Sequence, residues 1–354
     1  MISSLRKATA ALTFGASLAA VTAPARAENV ELIFNTFISH AHIWNAQVMF
    51  PWLDDLSEAT EGRVTFKVPP STLAPPPAQY TSVVRGTFDV GYINMTFLEN
   101  FAELMLISAL PRGTFSAEGN SRALWETYQE YFAPVGELDD VHLLALYVGL
   151  PGDLLMRSKG ADEAGSIRGM KMYTIPGPSA KLMDAGKAAV VAAPAVQAYE
   201  IISSGTVDAY AGLALFDFEA FNVFQYTKSA VLIPGGLSAP SFALFMNKDR
   251  WAEISPEDQE AMMAVAQTKL QEYVGAYDIA QRAAVATARA EGIEVIDAPE
   301  ALMTQFAPAS DAMDEEWIAK ANAKGVDGRA ALDFYRAKAF EYSDALGSIV
   351  RARD

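Results

Sequence analysis

Cysteine is absent from the 354 residues. No disulfide staples this fold, and no thiolate can act as nucleophile or metal ligand. Histidine is nearly as scarce, with only His40, His42 and His142. Zinc takes three or four ligands, so His40-Ala-His42 is at most half of a metal site unless carboxylates complete it. Sequence signatures of hydrolysis are missing too: there is no Gly-x-Ser-x-Gly elbow and no His-Glu-x-x-His. Acidic pairs such as Asp139-Asp140 carry no geometry of their own, so an exported hydrolase stays only as the competing class. Nothing points to a cofactor. After residue 27 no apolar run is long enough to span a membrane. Positive charge is also in short supply. Beyond residue 27 there are 24 basic and 43 acidic residues, a net of −19. Such a surface repels nucleic-acid phosphates and acidic lipid, which argues against a nucleic-acid partner and against stable membrane insertion.

What is present begins with a leader. Arg6 and Lys7 precede an uncharged, alanine-rich run from Ala8 to Ala23, and Ala25-Arg26-Ala27 matches a small-x-small cleavage site. The expectation is export with a cut after Ala27, leaving a chain in the periplasm that must be stabilised by its core. The remaining length suggests two domains.

Strand and helix patterns alternate. "VELIFNTF" (30–37), "GRVTFKV" (62–68) and "FDVGYI" (88–93) read as strands, separated by helices at 43–60 and 75–86. Pro51 kinks the first helix or starts its second part. The order β-α-β-α-β predicts a parallel sheet covered by helices. A helix at 116–132 and a buried strand at 141–149 follow, and Leu150-Pro151-Gly152 breaks the pattern. Alternation then starts afresh, with "GMKMYT" running into Pro176-Gly177-Pro178 and a helix. Two α/β units in tandem are expected. Residues 228–248 read as two further strands that could return the chain to the first unit. Ser255-Pro-Glu-Asp starts a helix with an N-cap, an N1 proline and early acids, and the periodic pattern runs to about Glu291. A helix of that length, roughly 50 Å, is long enough to lie along both units.

Two segments share a layout. Gln79-Tyr80 with Gly86-Thr87-Phe88-Asp89 parallels Gln197-Ala-Tyr199 with Gly205-Thr206-Val207-Asp208. Either the two strand ends face each other across a cleft, or this is ordinary chemistry of a helix-to-strand turn. Three stretches carry a wider resemblance: "PWLDDLSEATEGRVTFKVPPSTLAPPPAQYTSVVRGTFDVGYI", "RGMKMYTIPGPSAKLMDAGKAAVVAAPAVQAYEIISSGTVDA" and "FALFMNKDRWAEISPEDQEAMMAVA". In this order, behind a leader, the chain resembles the extracytoplasmic solute-binding components of TRAP transporters, of the dicarboxylate-binding type. The resemblance implies an α/β, two-lobe periplasmic binding protein fold with a hinge and a long helix spanning both lobes. Lobe I would comprise 28–150 plus about 240–275, and lobe II 151–239 plus about 276–354. It implies no enzyme activity, one small solute held between the lobes, and TRAP membrane permease subunits as partners, with a sensor kinase as the other possible client.

The resemblance also raises a question about the solute. Relatives usually carry an arginine after the Gly-x-Lys-x motif, where it forks a ligand carboxylate; here that position is Tyr173. Some relatives carry a second arginine about twenty residues earlier, and an ungapped count puts Asp153 there. A neutral or amine-bearing solute is therefore expected, with a phenol hydroxyl and π-face available to it. The alternative is a small organic acid held by Lys171, Arg157 or a histidine. Strand-end positions add Tyr92, Asn94 and Tyr210 as contacts. The loop after the first strand adds Phe37, His40 and Trp44, and "LFDFEAF" adds Phe216 and Asp217.

Overall fold

A computed structural model describes residues 29–157 and 166–349. The leader and its cleavage site lie outside the described residues. Strand β1 (Val30–Ile33) leads into a π-type helix (Trp44–Met49) that continues as α1 (Phe50–Ala59). Pro51 is the second residue of α1, so a residue with no N–H to donate falls where the π-type hydrogen-bond register gives way to the α register. Strand β2 (Val64–Lys67), α2 (Gln79–Val84) and β3 (Val90–Asn94) complete the first alternation. Helix α3 (Ala117–Thr127) and β4 (His142–Val148) follow. Beyond the break come β5 (Leu154–Met156), β6 (Lys171–Thr174), α4 (Pro178–Ala185), β7 (Ala189–Ala192), α5 (Ala198–Ser203), β8 (Ala209–Ala211) and α6 (Leu215–Ala220). The chain ends with β9 (Ser229–Leu232), β10 (Ser241–Met246), α7 (Lys248–Ala252), α8 (Pro256–Ala290), β11 (Glu294–Asp297), α9 (Glu300–Ala323) and α10 (Gly328–Ala345).

These strands form two sheets. In the first, β1 pairs parallel with β2, a Phe34–Val90 bridge carries the pairing to β3, and the order continues β3-β10-β4. In the second, the order is β11-β9-β5-β8-β6-β7. The expected parallel pairing holds for β1, β2 and β3, while strands added later run against their neighbours. Strand β10 is antiparallel to both β3 and β4, and β5 is antiparallel to both β8 and β9. Each exception adjoins a crossing between the lobes, where the chain enters the new sheet in reverse. Of the two strands expected to return to the first unit, only β10 does so; β9 pairs with β5 and β11.

Helix α8 spans 35 residues, as its N-cap and periodicity predict. The Ser255 hydroxyl accepts the Asp258 N–H at 3.2 Å, and Trp52 Nε1 donates to the Ala266 carbonyl at 2.7 Å, fixing α8 to α1. One part of α8 packs on α1, α3 and β4, and another on α6 and β11, so it bridges both lobes. Helix α10 packs on α3, although the sequence reading placed it with lobe II. Ser116 and Ser343 hydroxyls meet at 2.7 Å, and Asn120 Nδ2 donates to the Tyr335 hydroxyl at 2.7 Å. Its small residues Ala331 and Ala339 are fully buried. Four chain segments link the lobes: residues 149–153, residues 233–240, α8, and α9, which leads from β11 in the second sheet to α10 on α3. The first two run side by side, with Gly149 N–H donating to Pro240 and Gly152 N–H to Ser238, both at 2.9 Å. A Cβ at Gly152 would lie 2.7 Å from the Gly212 backbone, so this close approach excludes a side chain.

Candidate functional site

Between the lobes, where the crossings meet α8, lies a cavity of about 150 Å³. Lobe I supplies Ile38, Trp44, Tyr147 and Phe242; lobe II supplies Ile175, Gly212, Leu213, Ala214 and Asp217. Gly149, Leu150 and Pro240 come from the crossings, and Tyr277 from α8. Strand pairing builds the aromatic wall. Tyr147 and Phe242 are direct partners in the antiparallel β4–β10 register, with ring centroids 4.6 Å apart and planes within 1°. Trp44 stacks on Tyr147 at 4.1 Å and approaches Tyr277 at 5.8 Å. Offset pairs of this kind add about 0.5–1.5 kcal/mol each beyond area burial.

Asp217 is the carboxylate of the lining. It accepts the Ala214 N–H at 3.2 Å, and burial pushes its carboxyl up to about 6. Burial also drives the Tyr147 and Tyr277 phenols well above their ordinary range, keeping them protonated hydrogen-bond donors. None of the lining residues is Lys, Arg or His. Among the described residues, no group of three or more His, Cys, Asp or Glu is placed to hold a metal ion.

Of the residues singled out from the sequence, Trp44 and Asp217 line this cavity. Phe37 and Tyr92 stand behind Trp44: Phe37 stacks on Tyr92 at 4.6 Å, and Tyr92 lies 5.8 Å from Trp44. Phe216 meets Tyr277 edge-on at 6.0 Å. The other five are placed elsewhere. Tyr173 is fully buried in the core of lobe II, and its hydroxyl donates to the Pro194 carbonyl at 3.3 Å. This corrects the expectation that its phenol faces the cleft. In register it sits between Tyr210 and Val191, on the sheet face covered by Ala198 and Ile202 of α5. Ile175, just past the strand end, takes the cavity position. Tyr210 is withdrawn for the same reason, packing edge-on against Phe218 at 5.1 Å. Asp153 lines a neighbouring cavity at the hinge, Asn94 accepts the Thr96 N–H at 3.0 Å as a cap, and His40 is exposed, edge-on to Phe50.

The cations named for the organic-acid alternative lie outside the lining; His42 is exposed, and its Nδ1 accepts the Trp44 N–H at 3.2 Å. Arg157 donates to the Ile202 carbonyl and lies over the Tyr226 ring at 5.2 Å. Lys171 is exposed at the far end of β6 from Ile175. His142 stacks on Trp251 at 3.8 Å, and burial with nearby Lys248 lowers it to about 4. Tyr147, Phe242 and Tyr277 were not anticipated. The strand-end rule that marked Tyr92 would have marked Tyr147, the only polar side chain in "LLALYV". Phe242 becomes visible only through its pairing with Tyr147.

A family model for bacterial extracellular solute-binding protein family 7, DctP, matches residues 34–321. The chain belongs to that family. Family 7 proteins are solute-binding proteins of TRAP transporters, not enzymes; they are periplasmic and work with membrane permease subunits. The chain is 36% identical over 328 residues to the outer membrane transporter protein TsaT of Comamonas testosteroni, covering 93% of this chain and 97% of that one. It is similar to a TRAP periplasmic solute-binding protein from Bordetella bronchiseptica solved with (R)- and (S)-mandelate, with 29% identity, a TM-score of 0.79, and coverage of 88% of this chain and 99% of that one. A TRAP solute-binding protein from Rhodoferax ferrireducens T118 with copurified benzoate has 25% identity and a TM-score of 0.74, with coverage of 90% and 99%. Among the described residues no helix is long and apolar enough to cross a membrane.

Proposed function

We propose that this family 7 protein captures one small monocyclic aromatic solute, neutral or amine-bearing, between its lobes and delivers it to membrane permease subunits. The cavity's combination of stacked rings with a carboxylate and no basic lining residue carries the reading. Size supports it: an apolar cavity of about 150 Å³ accommodates benzene, and this one is about 150 Å³. The mandelate and benzoate held by the two solved relatives favour an aromatic ring. They do not extend to a carboxylate here. An enclosed carboxylate without a cation keeps a desolvation cost of several kcal/mol, against a micromolar binding energy of about −8 kcal/mol. A hydroxyl or ammonium group would instead donate to Asp217, and an ammonium would also meet the faces of Trp44 and Tyr147.

Calorimetric titration at neutral pH with benzylamine, benzyl alcohol, benzoate and mandelate tests this. Benzylamine or benzyl alcohol should bind at least about tenfold more tightly than benzoate, a difference of roughly 1.4 kcal/mol. Tighter binding of benzoate or mandelate would overturn the charge assignment and leave the aromatic one standing. Binding of none of the four would overturn both.

A further inference from the structure

A second cavity, of about 310 Å³, shares Leu150 with the solute cavity and is lined by Asp153, Asp278 and Gln281. Asp278 has an evident structural task, accepting the Ala117 and Glu118 N–H groups at 2.6 and 3.0 Å at the start of α3. Asp153 has no part in the solute reading above, yet it is only 3% exposed and fully engaged. It stands on the first crossing. One carboxylate oxygen accepts the Ile233 N–H of the second crossing at 3.3 Å. The other accepts Gln281 Nε2 of α8, the third crossing, at 2.9 Å. One side chain therefore joins three of the four links between the lobes, all but α9.

The same residue reaches the solute cavity. Its N–H donates to the Leu213 carbonyl at 2.8 Å, and its carbonyl accepts the Gly212 N–H at 3.0 Å. Gln281 Oε1 accepts the Phe216 N–H at 2.9 Å, one residue before Asp217. We propose that Asp153 is a positioning residue that sets the angle between the lobes, coupling the hinge to the cavity wall through Gln281. This rests on the reading that solute capture is a lobe closure.

Donor and acceptor roles make the idea testable. The Phe216 N–H fixes the orientation of the Gln281 amide, so its NH₂ must face residue 153. In Asp153→Asn the new amide has one acceptor oxygen for the Ile233 N–H, the Gln281 amide and the nearby Leu215 N–H, and an N–H would oppose an N–H. In Asp153→Asn with Gln281→Glu the polarity is reversed across the same contact: the amide NH₂ donates to the new carboxylate, its oxygen accepts Ile233, and Phe216 keeps its acceptor. The chain has no native cysteine, so Val84→Cys and Tyr199→Cys, at exposed sites on α2 and α5, take two spin labels without ambiguity.

Pulsed dipolar spectroscopy on the full chain without added solute should give one narrow interlobe distance for the parent. Asp153→Asn should shift it or broaden it roughly twofold, and the double exchange should restore it. An unchanged distance in Asp153→Asn, or a double exchange that stays broad, overturns the proposal. Should Asp153→Asn fail to fold, Gln281→Met breaks the same tie from α8 and must broaden the distance; an unchanged distance there is equally fatal. No solute is used, so the result is independent of whether benzylamine or benzyl alcohol binds.

Discussion

Asp217 and Tyr173 show how much a single position depends on which face it occupies. Both were read as pocket residues. Asp217, in the first turn of α6, meets the cavity, while Tyr173 is buried inside lobe II, in the core cluster that includes α5. A strand alternates its side chains, so naming a residue in β6 does not say which layer it joins until the sheet is covered. Charge at Asp217 is the residue-scale test of solute class. A hydrogen bond to a charged group contributes about 1.5–3 kcal/mol, so Asp217→Asn should weaken benzylamine by roughly ten- to a hundredfold and leave benzyl alcohol within about threefold. Calorimetry on both solutes reads this directly. Equal losses for the two would show that Asp217 shapes the cavity without selecting charge.

At the scale of elements, the recurrent Gly-Thr-x-Asp pattern has a clear structural role. Gly86 and Gly205 both adopt positive φ, +70° and +77°, ending their helices. Each aspartate then accepts the N–H of an adjacent strand or its end: Asp89 from Ile33 at 2.7 Å, and Asp208 from Lys171 at 2.8 Å. The repeat is thus turn chemistry used once per lobe, the plainer of the two sequence readings. Helix α8 was legible from end to end because its signals are local: Ser255 at the N-cap, Pro256 at N1, Glu257 and Asp258 in the first turn. Removing the cap tests that locality. Ser255→Ala leaves the Asp258 N–H without its acceptor and should cost about 1 kcal/mol in denaturant unfolding, with solute binding unchanged. A loss below about 0.3 kcal/mol would mean that tertiary packing holds the helix end without it.

For the molecule as a whole, three buried carboxyls share one sign. Burial raises Asp153 and Asp278 to about 7 and Asp217 to about 6. Each holds its proton more tightly folded than unfolded. Between about pH 4 and 7 the native state therefore binds more protons than the unfolded chain, and stability rises as pH falls through that window. Asp258 works the other way: hydrogen bonding to Arg63 lowers it, so its contribution is lost only below the ordinary aspartate range. Thermal unfolding should consequently show a higher midpoint near pH 5.5 than near pH 8. A midpoint that climbs steadily towards pH 8 would contradict the burial of these groups. Lowering the surplus of acidic charge acts in the same direction, and Asp153→Asn should reduce the slope, which separates the hinge contribution from the general one.

Composition and periodicity were enough to place most strands and helices, the length of α8 and two α/β units in tandem, because each depends on neighbours a few residues apart; β11, inside a stretch that reads as helical, escaped them. The solute cavity depends on neighbours that are far apart in the chain. Tyr147 meets Phe242 only because β10 inserts antiparallel between β3 and β4, and Tyr277 joins them only because α8 crosses both lobes. The layer that receives Tyr173, the attachment of α10 to α3, and the junction of three crossings at Asp153 likewise come into being on folding. Side-chain alternation and long-range pairing decide these, and neither leaves a mark within a short window of residues.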